Sequence, residues 1–506
     1  MSPDTSAATS RLGALERRVR AEQALGDTGV EPWARATDAG AHTVVIVGAG
    51  QAGLVVAAGL RSKGVADVLV VDAGEEGGAG PWPTFARMRT LRTPKRVAWP
   101  AWGVPAASPQ AWFRAVHGDD AWDGLEQFPT AAWHAFLEWY RRTLDLPVRF
   151  GTTVRRIAEA PDGRLDVTLD ERGAARVVRA DRVVLATGIE GAGGIRVPGG
   201  LFDGLPRALW AHTHEPIDFA RLRGARIGVL GGGTGAFDNA ATALEAGARS
   251  VTVHMRRPAM PDVSPYRWME FPGILEHYAA FDDDQKWRFN EHLTAIDQPA
   301  TQGAVWRAYA WPGFEFRTSS AWLSAEARDG GVEVQTTRGP ERYDFVIAAT
   351  GIAVDLAMRP ELATLEPRIA RWRDRYRPAE PTRHPELLDY PYLGDDFALQ
   401  PVDGSPASAL RRVHLFNHGA RMSLGVLSHQ ISGLLGGAER VVRGVVAGLV
   451  RDRSDALLRS YLDYDTPVGV QLGPRPGERT AGVPAEAPIV APAAAPAVAP
   501  AERMSA

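Results

Sequence analysis

The 506-residue chain carries 57 Lys and Arg against 60 Asp and Glu, a formal charge of −3 that implies no polyanion partner overall. It has no cysteine, which excludes disulfide frameworks, thiolate zinc sites and flavoenzymes that work through a redox-active cysteine pair. The 45% hydrophobic content fills a sizeable core, no run reaches a membrane span and the first 30 residues lack an apolar signal core. A cytoplasmic protein that meets neither membrane nor nucleic acid is expected.

Residues 1–40 are a polar, Ala- and Arg-rich extension. Leu12, Leu15 and Val19 recur at helical spacing and Gly26 is a stop signal, so a surface helix packed on the body is expected. Thr43–Val47 is a run of strand formers that enters Gly48-x-Gly50-x-x-Gly53, with Gln51 inside the motif. A helical pattern follows, then an apolar run, Val68–Val71, that ends in Asp72. Together these form a dinucleotide fingerprint. Gly48 makes the tight turn, Gly50 admits a pyrophosphate to the backbone N–H groups, and Gly53 lets helix and strand pack closely. Asp72, 19 residues past Gly53, is placed to accept the ribose hydroxyls.

The glycine-rich stretch from Ala73 to Trp82 predicts close backbone approach to the cofactor, with Trp82 near its redox ring. Residues 85–105 hold Arg87, Arg89, Arg92, Lys95 and Arg96 between aromatics. They read equally as a solvated face or as a grip on cofactor phosphates or an anionic substrate. Trp133, Phe136, Leu137, Tyr140 and Leu144 predict a core-facing helix over 129–146 that Thr130 can cap. Val148–Ile157, which contains Val154, reads as a strand. Leu165–Asp170 and Val177–Arg179 read as a hairpin, and Arg182–Gly188 as a buried strand meeting a turn at Thr187 and Gly188.

Residues 224–257 repeat the opening. The strand Arg226–Leu230 enters Gly231-x-Gly233-Thr234-x-Ala236, a helix runs through Leu244, and a strand over Ser250–Met255 ends in Arg256 and Arg257. An acid there would repel a 2′-phosphate, whereas arginines bind it, so NADP is expected. Residues 258–325 are aromatic-rich and irregular, and residues such as Arg267 and Asn290 read equally as a pocket wall or as plain packing. Asp344–Gly351 ends in Ala-Thr-Gly, like Arg182–Gly188, and brings in Thr350 and Gly351. Val413–Phe416 reads as a strand, and the turn Asn417–Gly425, with Ser423, Leu424 and Gly425, leads into a long helix to about Val450. From about 470 onward, Pro and Ala repeats predict a disordered tail.

Two fingerprints, each followed by an Ala-Thr-Gly strand end, resemble the two-dinucleotide-binding flavoproteins, and within them the class B flavin monooxygenases, over roughly residues 40–455. The resemblance implies an α/β fold of two Rossmann-like domains with the NADPH domain inserted in the FAD domain. It divides the chain into an extension (1–40), the FAD domain (41–215 and 343–460), the NADPH domain with a pocket segment (216–342) and a tail (470–506). The Baeyer–Villiger signature begins at Phe202-Asp203-Gly204, but Ala208 stands where its His belongs. The segment between Trp82 and Val148 and the turn Asn417–Gly425 look more like the N-hydroxylating branch. That branch implies FAD and NADPH as cofactors, no metal, and a flavin hydroperoxide that N-hydroxylates a small amine or amino acid, with successive oxidations open.

The same resemblance implies a cofactor set of Gly48, Gly50, Gln51, Gly53, Asp72, Ala73, Trp82, Arg89, Val154, Thr187, Gly188, Gly231, Gly233, Thr234, Ala236, Arg256, Arg257, Thr350, Gly351, Ser423, Leu424 and Gly425. Lys95, Asn290 and Arg267 are the candidate catalytic and substrate residues. Dioxygen and the small molecule are the partners, and homo-oligomerisation stays open. Baeyer–Villiger or sulfur oxygenation, and electron transfer by a reductase, stand as alternatives.

Overall fold

A computed structural model describes residues 3–26, 32–36, 38, 40–406, 408–426 and 428–465. The first strand, His42–Val47, has Val44, Val45 and Ile46 fully buried. A run apolar on both faces belongs inside a parallel sheet covered on both sides, and that is where it lies. It pairs in parallel with Val68–Val71 on one side and with the inner half of Ala174–Leu185 on the other. The sheet continues to 148–149 at one edge, and through Leu165–Glu171 to Thr152–Glu159 at the other, with Val413–His414 joined to the long strand. The expected hairpin arm Val177–Arg179 and buried strand Arg182–Leu185 are thus one strand of 12 residues. Its outer half pairs with the hairpin and its inner half with the parallel core, because nothing at Ala180-Asp181 breaks the extended chain.

The second sheet is wholly parallel, in the order 210–212, 345–348, 226–230, 250–254, 314–317. Phe345–Ala348 therefore lies inside this sheet, between Trp210–His212 and Arg226–Leu230. The two crossings between the units, Gly193–Ile195 and Ile352–Val354, run antiparallel as a two-stranded ribbon.

Residues 258–325 are more regular than their composition suggests. Helices run over Pro265–Met269, Pro272–His277, Asp283–Ile296 and Gln302–Tyr309. Pro265 and Pro272 open the first two, where a missing N–H costs nothing. A capping box of Asp282 and Gln285 starts the third. Before the first unit, the helix Pro3–Gly26 buries Leu15 and Val19. It is held by bonds from Arg11 Nε to the Ala115 carbonyl (3.0 Å) and from the Ala106 N–H to Glu22 (2.7 Å). The helix Thr130–Thr143 forms as expected, but Thr130 does not cap it: its hydroxyl donates to the Met88 carbonyl at 2.8 Å.

The closing helix, Leu434–Asp452, starts later than expected, because Gly425 at φ +93° breaks the chain after a short helical turn, Arg421–Leu424. It lies against the first fingerprint helix, where a Cβ on Gly59 would come within 2.8 Å of Val442. Residues from 453 form a separate unit whose described part holds one helix, Ser454–Leu462. The expected tail, 470–506, lies outside the described residues. No helix of the described residues is long and apolar enough to cross a membrane.

Candidate functional site: two nucleotide cradles and the cleft between them

The first fingerprint has one open glycine and two closed ones. Gly48 sits at φ +104°, and a Cβ there would lie 2.5 Å from the Ala186 carbonyl oxygen. A Cβ on Gly53 would lie 1.8 Å from the Gly48 oxygen. At Gly50 it would meet only the Gly80 Cα, at 3.8 Å. Gly50 is also the N-cap of the helix Gln51–Ser62 and offers no side chain to its free N–H groups, so an anion fits there. Asp72 accepts from the Ala49 N–H (2.7 Å) and the Gly74 N–H (2.8 Å). It thus bridges the fingerprint turn and the glycine loop, with carboxylate lone pairs left for a ribose.

Around this cradle, Gln51 Oε1 accepts from Trp133 Nε1 at 3.2 Å, and Ala73 is exposed on the loop. Trp82 is half-buried and its Nε1 has no partner. Val154 is buried in the sheet core. Thr187 Oγ1 accepts from Asn417 Nδ2 at 2.9 Å, and the carbonyl of Gly188 (φ +72°) accepts from the His418 N–H at 3.2 Å.

The second fingerprint repeats the pattern. Gly231, at φ +129°, would place a Cβ 2.3 Å from the Ala349 oxygen, while Gly233 faces open space. Ala236 is buried in the third position, and Thr234 Oγ1 accepts from the Thr301 N–H at 3.1 Å. Past the strand Ser250–His254, Arg256 is exposed. Arg257 is partly spent on the Ile296 carbonyl (3.3 Å) and on Asp297 (3.6 Å). Thr350 Oγ1 donates to the Arg196 carbonyl, and the carbonyl of Gly351 (φ +77°) accepts from the Arg196 N–H at 2.9 Å.

Cations of the 85–96 run have different fates. Arg87 donates to the Thr213 and Glu215 carbonyls at 2.6 and 2.7 Å. Arg89 pairs with Glu245 at 2.7 Å on the second fingerprint helix, so it joins the two units instead of holding a phosphate. Lys95 Nζ donates to the carbonyls of Trp122 (2.6 Å) and Asp123 (3.1 Å), at the end of a short helix. Arg92 is exposed, and its side chain makes no hydrogen bond or ion pair with the described residues. Yet surrounding protein lowers its pKa by desolvation, against the nearby charges of Asp238 and Tyr266.

Tyr266, whose charge Arg92 feels, marks the cleft side of this run, and Tyr390 and Arg421 lie near it with Asn290, His418 and His429 around them. The Tyr266 hydroxyl is raised in pKa by burial and feels the charge of Arg421. Asn290 is buried, and its Nδ2 donates to the Tyr278 hydroxyl and the Lys286 carbonyl, both at 3.0 Å. Its Oδ1 thereby faces Arg421 Nε at 2.9 Å. His418 Nε2 lies 3.3 Å from the Tyr390 hydroxyl. Burial, His429 and Arg421 hold His418 well below the usual imidazole range, and burial alone lowers His429 to about 4. The Nδ1 atoms of both are buried without a partner.

Arg267 is an exposed side chain on the helix Pro265–Met269. Ser423 Oγ is buried and accepts from Trp372 Nε1 and the Leu393 N–H, both at 3.1 Å, Leu424 is buried, and Gly425 packs on the Tyr278 ring. Tyr390, Arg421, His418 and His429 were passed over as site residues by sequence reasoning. The signal for two of them was present: Val413–His414 runs parallel to Val183–Val184, so the residues that follow it must emerge at the carboxyl edge of the sheet, where open α/β sheets bind ligands. Among the described residues no group of three or more His, Asp or Glu could hold a metal. A surface groove of about 390 Å³, lined by Arg61, Val65 and Asp67, lies at the opposite, amino-terminal edge.

A family model of pyridine nucleotide-disulphide oxidoreductases matches residues 42–271. The FAD-dependent urate hydroxylase of Xanthomonas campestris pv. campestris is 40% identical over 456 residues, 90% of this chain and 96% of that one. The chain belongs to that enzyme's family. FAD and NADPH are the cofactors, and the chain has two dinucleotide cradles. Among solved structures, the ornithine hydroxylase of Pseudomonas aeruginosa aligns with TM-score 0.64 and 18% identity, covering 81% of this hydroxylase and all of that chain. The ornithine N-hydroxylase of Kutzneria sp. 744 gives 0.62 at 18%, covering 80% and 99%. The L-lysine 6-monooxygenase of Pseudomonas syringae gives 0.59 at 16%, covering 80% and 99%. The chain therefore has the fold of the class B N-hydroxylating flavin monooxygenases.

Proposed function

We propose that the protein is an FAD- and NADPH-dependent hydroxylase of urate or of a planar heterocyclic anion like it. The observation that carries this reading is the 40% identity to a urate hydroxylase over nine-tenths of the chain. The amine hydroxylases share the fold at 18% identity or less, and that likeness carries no substrate. In this reading the open side of Gly50 and the free N–H groups behind it hold the FAD pyrophosphate, and Asp72 reaches its ribose. The open side of Gly233 holds the NADPH pyrophosphate, and Arg256 takes the 2′-phosphate.

Bound FAD, once reduced, supplies the activation of dioxygen and the transfer of one oxygen atom. The chain supplies the surroundings. Tyr266, only partly buried, offers a ring to a flat substrate, and the buried Tyr390 backs Arg421. His418, kept neutral by burial, steadies the Tyr390 ring through the 3.3 Å contact at Nε2. Trp82 and the buried 417–425 turn keep water from the reacting centre.

The test is NADPH oxidation with oxygen uptake over a panel of urate, other oxidised purines, ornithine, lysine and cadaverine. Urate should stimulate oxidation and lose its ultraviolet band in step with NADPH. Stimulation by an amine alone, with hydroxylamine formed, would overturn the reading in favour of N-hydroxylation. Reduction of an added quinone with no substrate oxygenated would leave only electron transfer.

A further inference from the structure

Arg421 is built to be held and left without a counter-charge. Its Nε donates to Asn290 Oδ1 at 2.9 Å, and its Nη2 donates to Thr294 Oγ1 at 2.5 Å and to the Asn290 carbonyl at 3.4 Å. Asn290 cannot turn its amide round, because its Nδ2 already serves two acceptors, Tyr278 and the Lys286 carbonyl. Thr294 is fixed in turn by its own bond to the Asn290 carbonyl, at 2.8 Å. Two successive turns of the helix Asp283–Ile296 therefore grip one edge of the guanidinium.

The other edge, Nη1, makes no hydrogen bond with the described residues, and no carboxylate among them pairs with this arginine. The side chain is half-buried and lies over the Tyr390 ring, 5.9 Å from its centroid. Two neighbouring arginines are matched, Arg307 with Asp238 and Glu245 and Arg257 with Asp297; the exposed Arg92 has no ion-pair partner either, but no group holds it as Asn290 and Thr294 hold Arg421. A half-buried cation with neutral holders and a free donor edge is costly unless an anion completes it. The turn that carries Arg421 is tied to Thr187 and Gly188 in the FAD unit. It thus stands at the flavin end of the cleft, away from the phosphate-binding start of the second fingerprint helix.

We infer that Arg421, backed by the Tyr390 ring, is the residue that binds the substrate's negative charge: the substrate enters as a planar monoanion, received by Nη1 beside Tyr266. The inference rests on the reading of this cleft as the hydroxylase's substrate site. Urate is a monoanion at neutral pH. Asn290 and Thr294 are positioning residues, acting through Arg421.

The experiment is calorimetric titration of the oxidised, FAD-loaded enzyme with urate, with barbiturate as a second planar monoanion and with hypoxanthine as a neutral purine. Arg421→Met should weaken binding of the anions about ten- to a hundredfold, the range for losing a hydrogen bond to a charged group. Hypoxanthine binding should change little, and Arg421→Lys should recover part of the loss. Asn290→Asp keeps the packing but gives Arg421 an internal carboxylate, so it too should weaken anions selectively. It decides the matter if Arg421→Met fails to fold, as flavin content would show. Equal urate binding by wild type, Arg421→Met and Asn290→Asp would overturn the inference and leave the proposed function standing. Barbiturate bound with Arg421 dependence, but no urate, would keep the inference and sink urate as the substrate. A wild type that binds neither anion would overturn the inference.

Discussion

The two kinds of glycine in the first fingerprint should fail in different ways when each gains a methyl group. At Gly53 a Cβ would stand 1.8 Å from the Gly48 oxygen, where an ordinary carbon–oxygen contact needs about 3.3 Å. The helix would have to move off the strand by roughly 1.5 Å, and overpacking of this kind costs about 1–3 kcal/mol, sometimes more. Taking ~3 kcal/mol and about 2 °C per kcal/mol for a large chain, Gly53→Ala should lower the melting temperature by at least roughly 5 °C. At Gly50 the added Cβ meets only the Gly80 Cα at 3.8 Å, an ordinary contact, so Gly50→Ala should fold normally. Its methyl group fills the place given to the pyrophosphate, and the loss should appear in the flavin. The assay is a thermal melt of flavin-stripped protein, because bound FAD would itself raise the transition, together with flavin content from absorbance at 450 nm after reconstitution. A Gly50→Ala protein that melts normally and binds FAD as wild type does would refute the placement of the cofactor. A Gly53→Ala protein as stable as wild type would refute the packing argument.

Three other consequences are open to measurement. Arg256→Ala should raise the NADPH KM about tenfold or more and leave NADH untouched, while Arg257→Ala, already bonded to the Ile296 carbonyl, should do less; an unchanged NADPH/NADH preference in both would remove the 2′-phosphate assignment. Arg307→Met leaves Asp238 buried without its partner, a change worth about 3–5 kcal/mol. Adding Asp238→Asn should restore part of it, and a single variant that melts like wild type would disprove the tie. His212 and His254 are fully buried and lowered to about 4, chiefly by burial, and His429 behaves alike. Each is neutral when folded and binds a proton below about 6.5 when unfolded. Stability should therefore be fully present above pH 6.5 and fall as pH drops from 6.5 towards 4, by up to about 1.4 kcal/mol per pH unit for each. A melting temperature flat from pH 7.5 to 5 would contradict this.

Both nucleotide units were legible because their signals are local. Strand, glycine turn and helix follow one another within 20 residues, and the positions that tolerate no Cβ are the glycines themselves. The second sheet's reach to Ala348 was not legible, since Phe345–Ala348 finds its partners more than a hundred residues earlier, at Arg226–Leu230 and Trp210–His212. The helices of 258–325 were hidden by composition, although Pro265, Pro272 and the Asp282–Gln285 pair each marked a start. The cleft was the least legible part. Arg421 and Tyr390 meet Tyr266 and Asn290 from distant segments, and no spacing in one segment announces a partner in another.

The cationic run 85–96 shows why counting charges could not choose between a solvated face and a binding patch. Its members divide the work by geometry. Arg87 and Arg89 reach across to 213–215 and to Glu245 and fix one unit against the other. Lys95 closes the end of a short helix. Arg92 alone among these four faces the cleft without a bonded partner. What separates a structural arginine from a ligand-binding one here is whether the fold has supplied its acceptor. Arg87, Arg89 and Arg307 have theirs in both units, so they can hold the two cradles at a set angle whether or not a ligand is present. Arg421 is steadied by neutral groups, and its Nη1 edge has no partner among the described residues. A fold that spent carboxylates on Arg307 and Arg257 and none on Arg421 has kept that charge for something that comes and goes.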